Sequence, residues 1–395
     1  MPEPVPLTMA VYPWDLARAG AGAAVDEIAA VGVQAIEVAS NYHTMDVVSP
    51  RAGVRLYSSA RGSVLFPARR ERYGRIVPAT AEPEVCDAWP IAADRARARG
   101  LTLHAAVVPL FQPWIVDAHP ECARVLPTGD AVGGSVCPSD PDVREYLAAL
   151  CADLVDQFGV ELLRFQGTMP ATYDFDWLRP RTAVKVPGVA RELLACCFCR
   201  TCTARGRSLG LDVDDLRRRV RATIGEALET GVGVAADEVL DDELRTYLLQ
   251  YERAATELLS GVRAAVGTTG SVRISSTAWT PFPRLLAGSV DEVVAGLVTA
   301  VDHVSLTPGW FSERNRRLRP VAAQASSPIE LGLVLMKLSG GVGDGGRPVE
   351  LDEAVSLAVD DVTVFTWGSL RERDVDELVA AIRAVWDDRR LDSTH

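Results

Sequence analysis

Lysine is nearly absent from this sequence. Lys185 and Lys337 are its two lysines, so arginine supplies almost all of the positive charge. Acidic residues outnumber basic ones, and the formal net charge is −12 at pH 7. Nucleic-acid binding depends on clustered lysine and arginine side chains that displace counterions from phosphates. The composition therefore argues against a nucleic-acid partner.

Long hydrophobic runs are also missing. No stretch reaches the roughly eighteen apolar residues of a membrane-spanning helix, so no membrane partner is expected. The first residues, MPEPVPLTMAVYPWDL, lack the basic and apolar segments of a secretory signal, which predicts a cytoplasmic location. In that setting the eight cysteines are expected to be metal ligands or buried thiols rather than disulfides.

Short β-rich runs alternate with longer helical segments along the chain, a pattern typical of a parallel sheet with crossover helices. The expected strands are Leu7–Tyr12, Val33–Ala39, Leu101–Val108, Val160–Phe165, Val272–Ser276, Val301–Leu306, Pro320–Ala325 and Val362–Trp367. The expected helices are Ala23–Val31, Pro90–Arg99, Pro141–Phe158, Val213–Leu228 and Asp241–Val266, and a long loop is expected over Ser40–Ala79. Eight strands favour a closed (β/α)₈ TIM barrel that forms one domain over residues 1–395. A doubly wound open sheet is the alternative, although no G-x-G-x-x-G motif follows the first strand.

Four cysteines fall within the seven residues Cys196-Cys197-Phe198-Cys199-Arg200-Thr201-Cys202, inside an insertion expected around residues 171–235. The C-x-C-x-x-C spacing lets Cys197, Cys199 and Cys202 converge on one ion, and Cys137 is the candidate fourth ligand. Four thiolates fill a tetrahedral Zn²⁺ shell, which predicts a structural zinc site. Cys196 is an alternative to Cys197 as ligand, and buried unligated thiols or a redox C-x-x-C are alternative interpretations of the motif.

Residues 130–205 resemble the β-galactosidases of glycoside hydrolase family 42. The resemblance rests on the run Val136-Cys137-Pro138-Ser139-Asp140-Pro141-Asp142-Val143-Arg144-Glu145, on Phe165-Gln166, and on Cys197-Phe198-Cys199-Arg200-Thr201-Cys202. Tyr12-Pro13 after the first strand also resembles the Y-P of that family. The resemblance implies a (β/α)₈ catalytic domain, a four-cysteine zinc site beside the fourth strand and a homo-oligomer, namely a trimer.

The catalytic positions of that family are not matched. Its acid/base glutamate follows F-Q, where this chain has Gly167-Thr168-Met169-Pro170, and its nucleophile ends strand seven, where Ala323-Gln324-Ala325-Ser326 is expected. A retaining glycosidase needs two carboxyl groups about 5–5.5 Å apart. The resemblance therefore implies the fold and the zinc site without the catalytic pair.

Other side chains are expected at the barrel mouth, where active sites of this fold lie. Aromatic rings, amides and charged groups suit a sugar-like ligand. The expected ligand-binding residues are Tyr12, Trp14, Asp15, Asn41, His43, Arg164, Gln166, Trp310, Gln324 and Trp367. The candidate catalytic carboxylates are Asp174, Asp176 and Glu37.

Three functions are compatible with these residues. The first is a glycosidase whose acid/base has moved to Asp174 or Asp176. The second is a barrel with other chemistry, such as isomerisation or elimination on a sugar-derived metabolite. The third is a sugar-binding pseudo-hydrolase without activity. The fold alone does not distinguish them.

Overall fold

A closed barrel of eight parallel strands forms the centre of the molecule. The computed structural model describes residues 5–51, 53, 55–169, 184, 186–267, 272–277, 282, 284–286, 296–306, 330–335 and 359–392. The barrel strands are β1 (Leu7–Val11), β2 (Ala35–Ala39), β3 (Thr102–Val107), β4 (Leu162–Phe165), β5 (Arg273–Thr277), β6 (His303–Leu306), β7 (Glu330–Leu335) and β8 (Asp361–Val364). Each strand pairs with the next along the chain, and β8 closes the barrel on β1 through pairs such as Leu7 with Val362. The (β/α)₈ prediction is confirmed.

Helices surround the barrel. Those that the structure describes are α1 (Pro13–Ala19), α2 (Ala21–Ala30), α3 (Pro83–Ala98), α4 (Pro113–Ala118), α5 (Pro141–Phe158), α6 (Gly188–Leu194), α7 (Arg200–Ser208), α8 (Val213–Thr230), α9 (Ala236–Val239), α10 (Asp242–Val266) and α11 (Glu372–Asp392). Short 3₁₀ turns cover Arg70–Arg72, Pro120–Cys122 and Trp367–Ser369. Among these described helices, none combines the length and the apolar composition needed to cross a membrane.

Helix α5 begins where the sequence predicts. The carboxylate of Asp140 accepts hydrogen bonds from the backbone N–H groups of Asp142 and Val143, and Pro141 occupies the first helical position. Proline is tolerated there because its missing N–H would have no partner within the helix. Gly159 ends the helix in the left-handed conformation, with φ of 70°. The start of α5 fixes the chain segment that carries Cys137.

The seventh strand is the main correction to the predicted barrel. Between β6 and β8 the barrel contains Glu330–Leu335, and Leu333 pairs with Leu306 on one side and Val362 on the other. The prediction of Pro320–Ala325 as strand seven is therefore wrong, and those residues lie outside the described part of the chain. A short apolar run gives too little pattern to distinguish two neighbouring candidates.

The connections hold more regular structure than the sequence predicts. Helix α1 was not predicted, and α3 begins at Pro83 rather than Pro90, with Pro90 inside it. The predicted loop Ser40–Ala79 contains two antiparallel strand pairs, Asn41–Tyr42 with Ser63–Val64 and Met45–Ser49 with Arg55–Ser59. Another pair, Ala123–Val125 with Ala131–Val136, lies between β3 and α5 and leads directly to Cys137.

Candidate metal centre and barrel mouth

Four cysteine sulfurs from two distant chain segments meet beside the barrel. Cys137, Cys197, Cys199 and Cys202 are all buried, and their sulfur atoms lie within 4.8 Å of one another. The Sγ atoms of Cys137 and Cys202 are 3.4 Å apart. Cys196 lies outside this group, so the four cysteines brought together are the four that the sequence predicts. This cluster could hold a metal ion.

Local structure explains how the C-x-C-x-x-C segment brings its sulfurs together. Cys199 is the N-cap of α7, and its sulfur accepts a hydrogen bond from the backbone N–H of Cys202 at 3.5 Å. The first turn of the helix therefore places Cys202 next to Cys199. The backbone of Cys197 is fixed from the other side, because its carbonyl accepts hydrogen bonds from the hydroxyls of Tyr247 and Tyr251 at 2.8 and 2.7 Å.

The electrostatics of the cluster favour a thiolate at Cys197. Burial alone would raise the pKa of this thiol. Hydrogen bonds from the other three cysteines and the positive charge of Arg124 instead hold the pKa of Cys197 well below its usual range. Thiolates rather than thiols bind metal ions.

The interior of the barrel is unusually polar. Arg164 on β4 donates hydrogen bonds to Glu37 on β2, to Ser305 on β6 at 2.5 Å and to Thr363 on β8 at 3.0 Å. These four side chains come from alternate strands, which is how interior layers of a (β/α)₈ barrel are built. Such layers ordinarily contain branched aliphatic residues. Here a buried ion pair occupies the layer, and Glu37 faces the barrel interior rather than a helix.

A second set of hydrogen bonds continues from this layer. Ser305 is 2.8 Å from the hydroxyl of Ser275, which is 2.7 Å from Nδ1 of His303, and Nε2 of His303 is 2.6 Å from Asp361. Arginine can only donate and a carboxylate only accepts. The hydrogen bonds have consistent directions when Ser305 donates to Ser275, Ser275 donates to Nδ1, and His303 donates from Nε2 to Asp361, although Oδ1 of Asp361 has no partner among the described residues. Burial would raise the pKa of Asp361, but His303 and Arg164 hold that pKa well below its usual range.

The two strand histidines differ. His303 is a buried core residue, and both of its ring nitrogens have hydrogen-bond partners. His104 is buried, yet neither of its ring nitrogens has a hydrogen-bond partner among the described residues. Burial, with Arg164 nearby, lowers the pKa of His104 to about 3, so its imidazole is neutral at ordinary pH.

Aromatic rings gather at the carboxyl ends of β1, β2 and β8. The ring of Tyr12 stacks on Trp14 at 4.2 Å between centroids, and its edge meets Tyr42 at 5.0 Å and Phe365 at 5.7 Å. Trp14 in turn stacks on Tyr57 at 4.2 Å. Hydrophobic spacing does not predict this cluster, because Tyr57 and Phe365 lie far apart in sequence. We call these five residues the aromatic wall.

Asp15 is buried behind the aromatic wall. Asp15 is 2% exposed and lies against Gly368. A Cβ atom added at Gly368 would come within 1.8 Å of the Asp15 carboxylate. The hydroxyl of Ser49 donates to the carbonyl of Gly368 at 2.7 Å, and no donor reaches Asp15 among the described residues. Burial raises the pKa of Asp15 to about 6, against the opposing influence of Ser49, Arg18 and Arg51.

Other expected ligand-binding residues already have protein partners. The side-chain amide of Asn41 bonds both backbone groups of Val108, at 2.8 and 3.0 Å. His43 contacts the carbonyl of Thr44 at 2.6 Å, and burial lowers its pKa to about 4. Trp367 lies in a 3₁₀ turn beyond β8 rather than at a strand end, with the guanidinium of Arg51 over its ring at 4.1 Å.

Several expected site residues are outside the described part of the chain. Gln166 is described and half-buried, and it directly follows β4. The expected residues that lie outside are Asp174, Asp176, Trp310 and Gln324. Because β7 is Glu330–Leu335, the comparison of Gln324 with a strand-seven nucleophile used the wrong segment.

Solved structures of other proteins share this (β/α)₈ barrel fold. The catalytic domain of the β-amylase from Paenibacillus polymyxa superposes with a TM-score of 0.58 at 10% identity, covering 98% of this chain and 99% of that one. An α-L-fucosidase from Paenibacillus thiaminolyticus gives 0.52 at 11% identity, and the β-galactosidase from the psychrophilic Marinomonas ef1 gives 0.52 at 9%. Each covers 97% of this chain, which spans 50% of the fucosidase chain and 60% of the galactosidase chain. No family model and no curated protein sequence matches the chain.

Proposed function

We propose that this chain binds a sugar or a sugar-derived metabolite at the carboxyl end of its barrel. The observation that carries the proposal is the aromatic wall, which lies at the end of the barrel where ligands of this fold bind. Tyr12, Trp14 and Tyr42 are at most 8% exposed and pack against one another, so the half-buried Tyr57 and Phe365 are the wall residues available to the apolar face of a sugar ring. The likeness to three sugar-acting enzymes supports the same ligand class.

For hydrolysis, we propose Asp174 or Asp176 as the acid/base. Glu37 is the other candidate carboxylate, but it is 1% exposed and bound by Arg164, so it is poorly placed to reach a glycosidic oxygen. General acid catalysis requires a carboxyl group within hydrogen-bond reach of the leaving oxygen. Asp174 and Asp176 follow β4 by about ten residues, a few residues beyond the positions that correspond to the acid/base of the resembling family.

A non-hydrolytic role is the second candidate, and the burial of the described carboxylates favours it. Glu37 is committed to Arg164, Asp15 is 2% exposed, and the position after Phe165 is the amide Gln166. An amide neither protonates a leaving group nor attacks an anomeric carbon. These features favour isomerisation, elimination or binding without turnover.

Chromogenic galactosides and glucosides distinguish the two candidates. The glycosidase would be supported if the wild type hydrolysed one of them and Asp174→Asn or Asp176→Asn lowered kcat at least 100-fold. The control, Asp237→Asn on the exposed face of α9, should leave kcat unchanged. Sugar binding by calorimetry without hydrolysis would support the second candidate. Neither binding nor hydrolysis with any sugar tested would contradict the proposed ligand class.

We also propose that the ion held by the cysteine cluster is structural Zn²⁺. Four sulfurs placed about 2.3 Å from a tetrahedral zinc ion are about 3.8 Å apart, which fits the 4.8 Å limit on the sulfur separations. Four thiolates leave no open coordination position, so the ion would join the segment before α5 to the segment before α7. X-ray absorption of the purified protein should show four sulfur neighbours at about 2.3 Å. Nitrogen or oxygen neighbours would contradict this ligand set.

A further inference from the structure

Arg124 is a fully buried arginine without an ion-pair partner among the described residues. Its exposed fraction is 0%, and its Nη2 donates one hydrogen bond to the carbonyl of Ala195 at 2.6 Å. Its Nε and Nη1 atoms have no hydrogen-bond partner within the part of the chain that the structure describes. Buried charges are ordinarily paired, because an isolated ion loses its hydration without compensation. The environment of Arg124 therefore lacks a negative charge that the chemistry requires.

The backbone around Arg124 is tied to the cysteine cluster on both sides. The carbonyl of Cys122 accepts a hydrogen bond from the N–H of Cys137 at 2.9 Å. The carbonyl of Val125 accepts one from the N–H of Phe198 at 2.7 Å. Ala195, which Arg124 contacts directly, lies two residues before Cys197. The guanidinium is thus held between the two segments that supply the four sulfurs.

The carboxylates near the cluster already have other partners. Glu192 accepts hydrogen bonds from the backbone N–H groups of Arg284 and Leu285, and its charge is matched by the Arg284 guanidinium at 3.2 Å. On another side, Glu257 pairs with both Arg144 and Arg205. These pairs leave Arg124 as a positive charge that no described carboxylate neutralises.

We propose that Arg124 is the buried counter-charge of the metal-bound cysteine cluster. Four thiolates around a divalent ion carry a net charge of −2, so a nearby guanidinium lowers the cost of burying that charge. Arg124 is a positioning residue, because it acts on the metal through the thiolates. This inference rests on the proposed metal centre. It implies that metal binding and Arg124 stabilise each other, since the full charge of −2 exists only when all four cysteines are bound to the metal as thiolates.

Three variants separate the charge of Arg124 from its volume, because all three have smaller side chains but only one stays charged. Arg124→Met and Arg124→Gln are neutral, and Arg124→Lys keeps the charge. Arg217→Met is the matched control, because Arg217 lies over the Phe198 ring but is only half-buried and donates to the carbonyl of Pro127. Zinc affinity is measured by competition with a chromophoric chelator. Urea unfolding is measured on zinc-loaded and metal-free protein.

We expect the neutral Arg124 variants to bind zinc about 10- to 100-fold more weakly than the wild type, the range usual for residues that support metal ligands. Arg124→Lys should lose less affinity, and Arg217→Met should stay within about twofold. Without metal, the neutral variants should lose less stability than with metal, because the cluster then carries less negative charge for Arg124 to balance.

Three results would overturn the inference. Unchanged zinc affinity in both neutral variants would show that Arg124 does not compensate the cluster. An equal loss of stability with and without zinc would assign Arg124 to packing. If the wild type itself took up no zinc, the metal centre would be wrong and this role would fall with it.

Discussion

Gly332 on β7 lies directly against His303 on β6. A Cβ atom at position 332 would come within 2.3 Å of Nε2 of His303 and within 2.5 Å of Oδ1 of Asp361. The hydrogen bond between His303 and Asp361 therefore depends on the missing side chain of this glycine. The His303–Asp361 pair, which joins β6 and β8, occupies the space that Gly332 leaves on the intervening strand β7.

Adding a methyl group at this position should disrupt the pair. We expect Gly332→Ala to destabilise the fold by about 1–3 kcal/mol, because a well-packed interior tolerates extra volume poorly. Gly22→Ala is the control, since a Cβ at Gly22 in α2 meets nothing within 4 Å and alanine favours a helix. Urea unfolding of both variants measures the difference. A Gly332→Ala protein as stable as the wild type would show that the His303–Asp361 contact is not tightly packed.

The Glu37–Arg164 pair should show strong coupling. Removing one partner of a buried ion pair leaves an uncompensated charge, so Glu37→Gln or Arg164→Met alone should each lower the unfolding free energy by about 3–5 kcal/mol. The double variant should be less destabilised than the sum of the single variants. A double-mutant cycle by urea unfolding measures this difference. Additive single effects would contradict a direct pair across the barrel.

Asp15 should make stability depend on pH. Its folded pKa of about 6 lies above the ordinary value near 3.9, so the folded chain binds more protons between pH 4 and pH 6. The stability that Asp15 contributes at low pH is therefore lost as the pH rises through 6.

The Asp15→Asn variant has no carboxyl group at this position, so it does not lose this stability as the pH rises. We expect the variant to exceed the wild type in stability at pH 8 by up to about 3 kcal/mol, with the difference shrinking toward pH 4. Urea unfolding at pH 5 and pH 8 tests this, with the exposed Asp94→Asn as control. A variant less stable than the wild type at pH 8 would mean that the carboxylate has a favourable partner.

Local sequence patterns predicted the parts of this molecule that depend on neighbours in the chain. Asp140-Pro141 marks the start of α5, and the C-x-C-x-x-C spacing brings Cys199 and Cys202 together through one helical turn. The alternation of strands and helices along the sequence was sufficient to predict the barrel. Cys137 could be predicted as the fourth ligand from its order along the chain, because it precedes the helix that leads into β4 and the C-x-C-x-x-C segment follows β4.

Features made by closure of the barrel could not be predicted in the same way. Arg164 and Thr363 lie in unrelated segments, and their contact exists only because β4 and β8 face the same interior. The shift of β7 to Glu330–Leu335 has a related cause, because short apolar runs look alike until pairing with both neighbours selects one. Arg124 belongs to no sequence motif, and its proposed role is inferred from its burial in the folded chain.

Metal content per chain tests the central claim most directly. Elemental analysis of purified protein should give one zinc per chain in the wild type and in Cys196→Ala, whose sulfur lies outside the cluster. Cys137→Ser, which removes the ligand most distant in sequence, should hold substantially less than one zinc after dialysis against a chelator. A metal-free wild type, or full zinc occupancy in Cys137→Ser, would contradict a site built from the two segments.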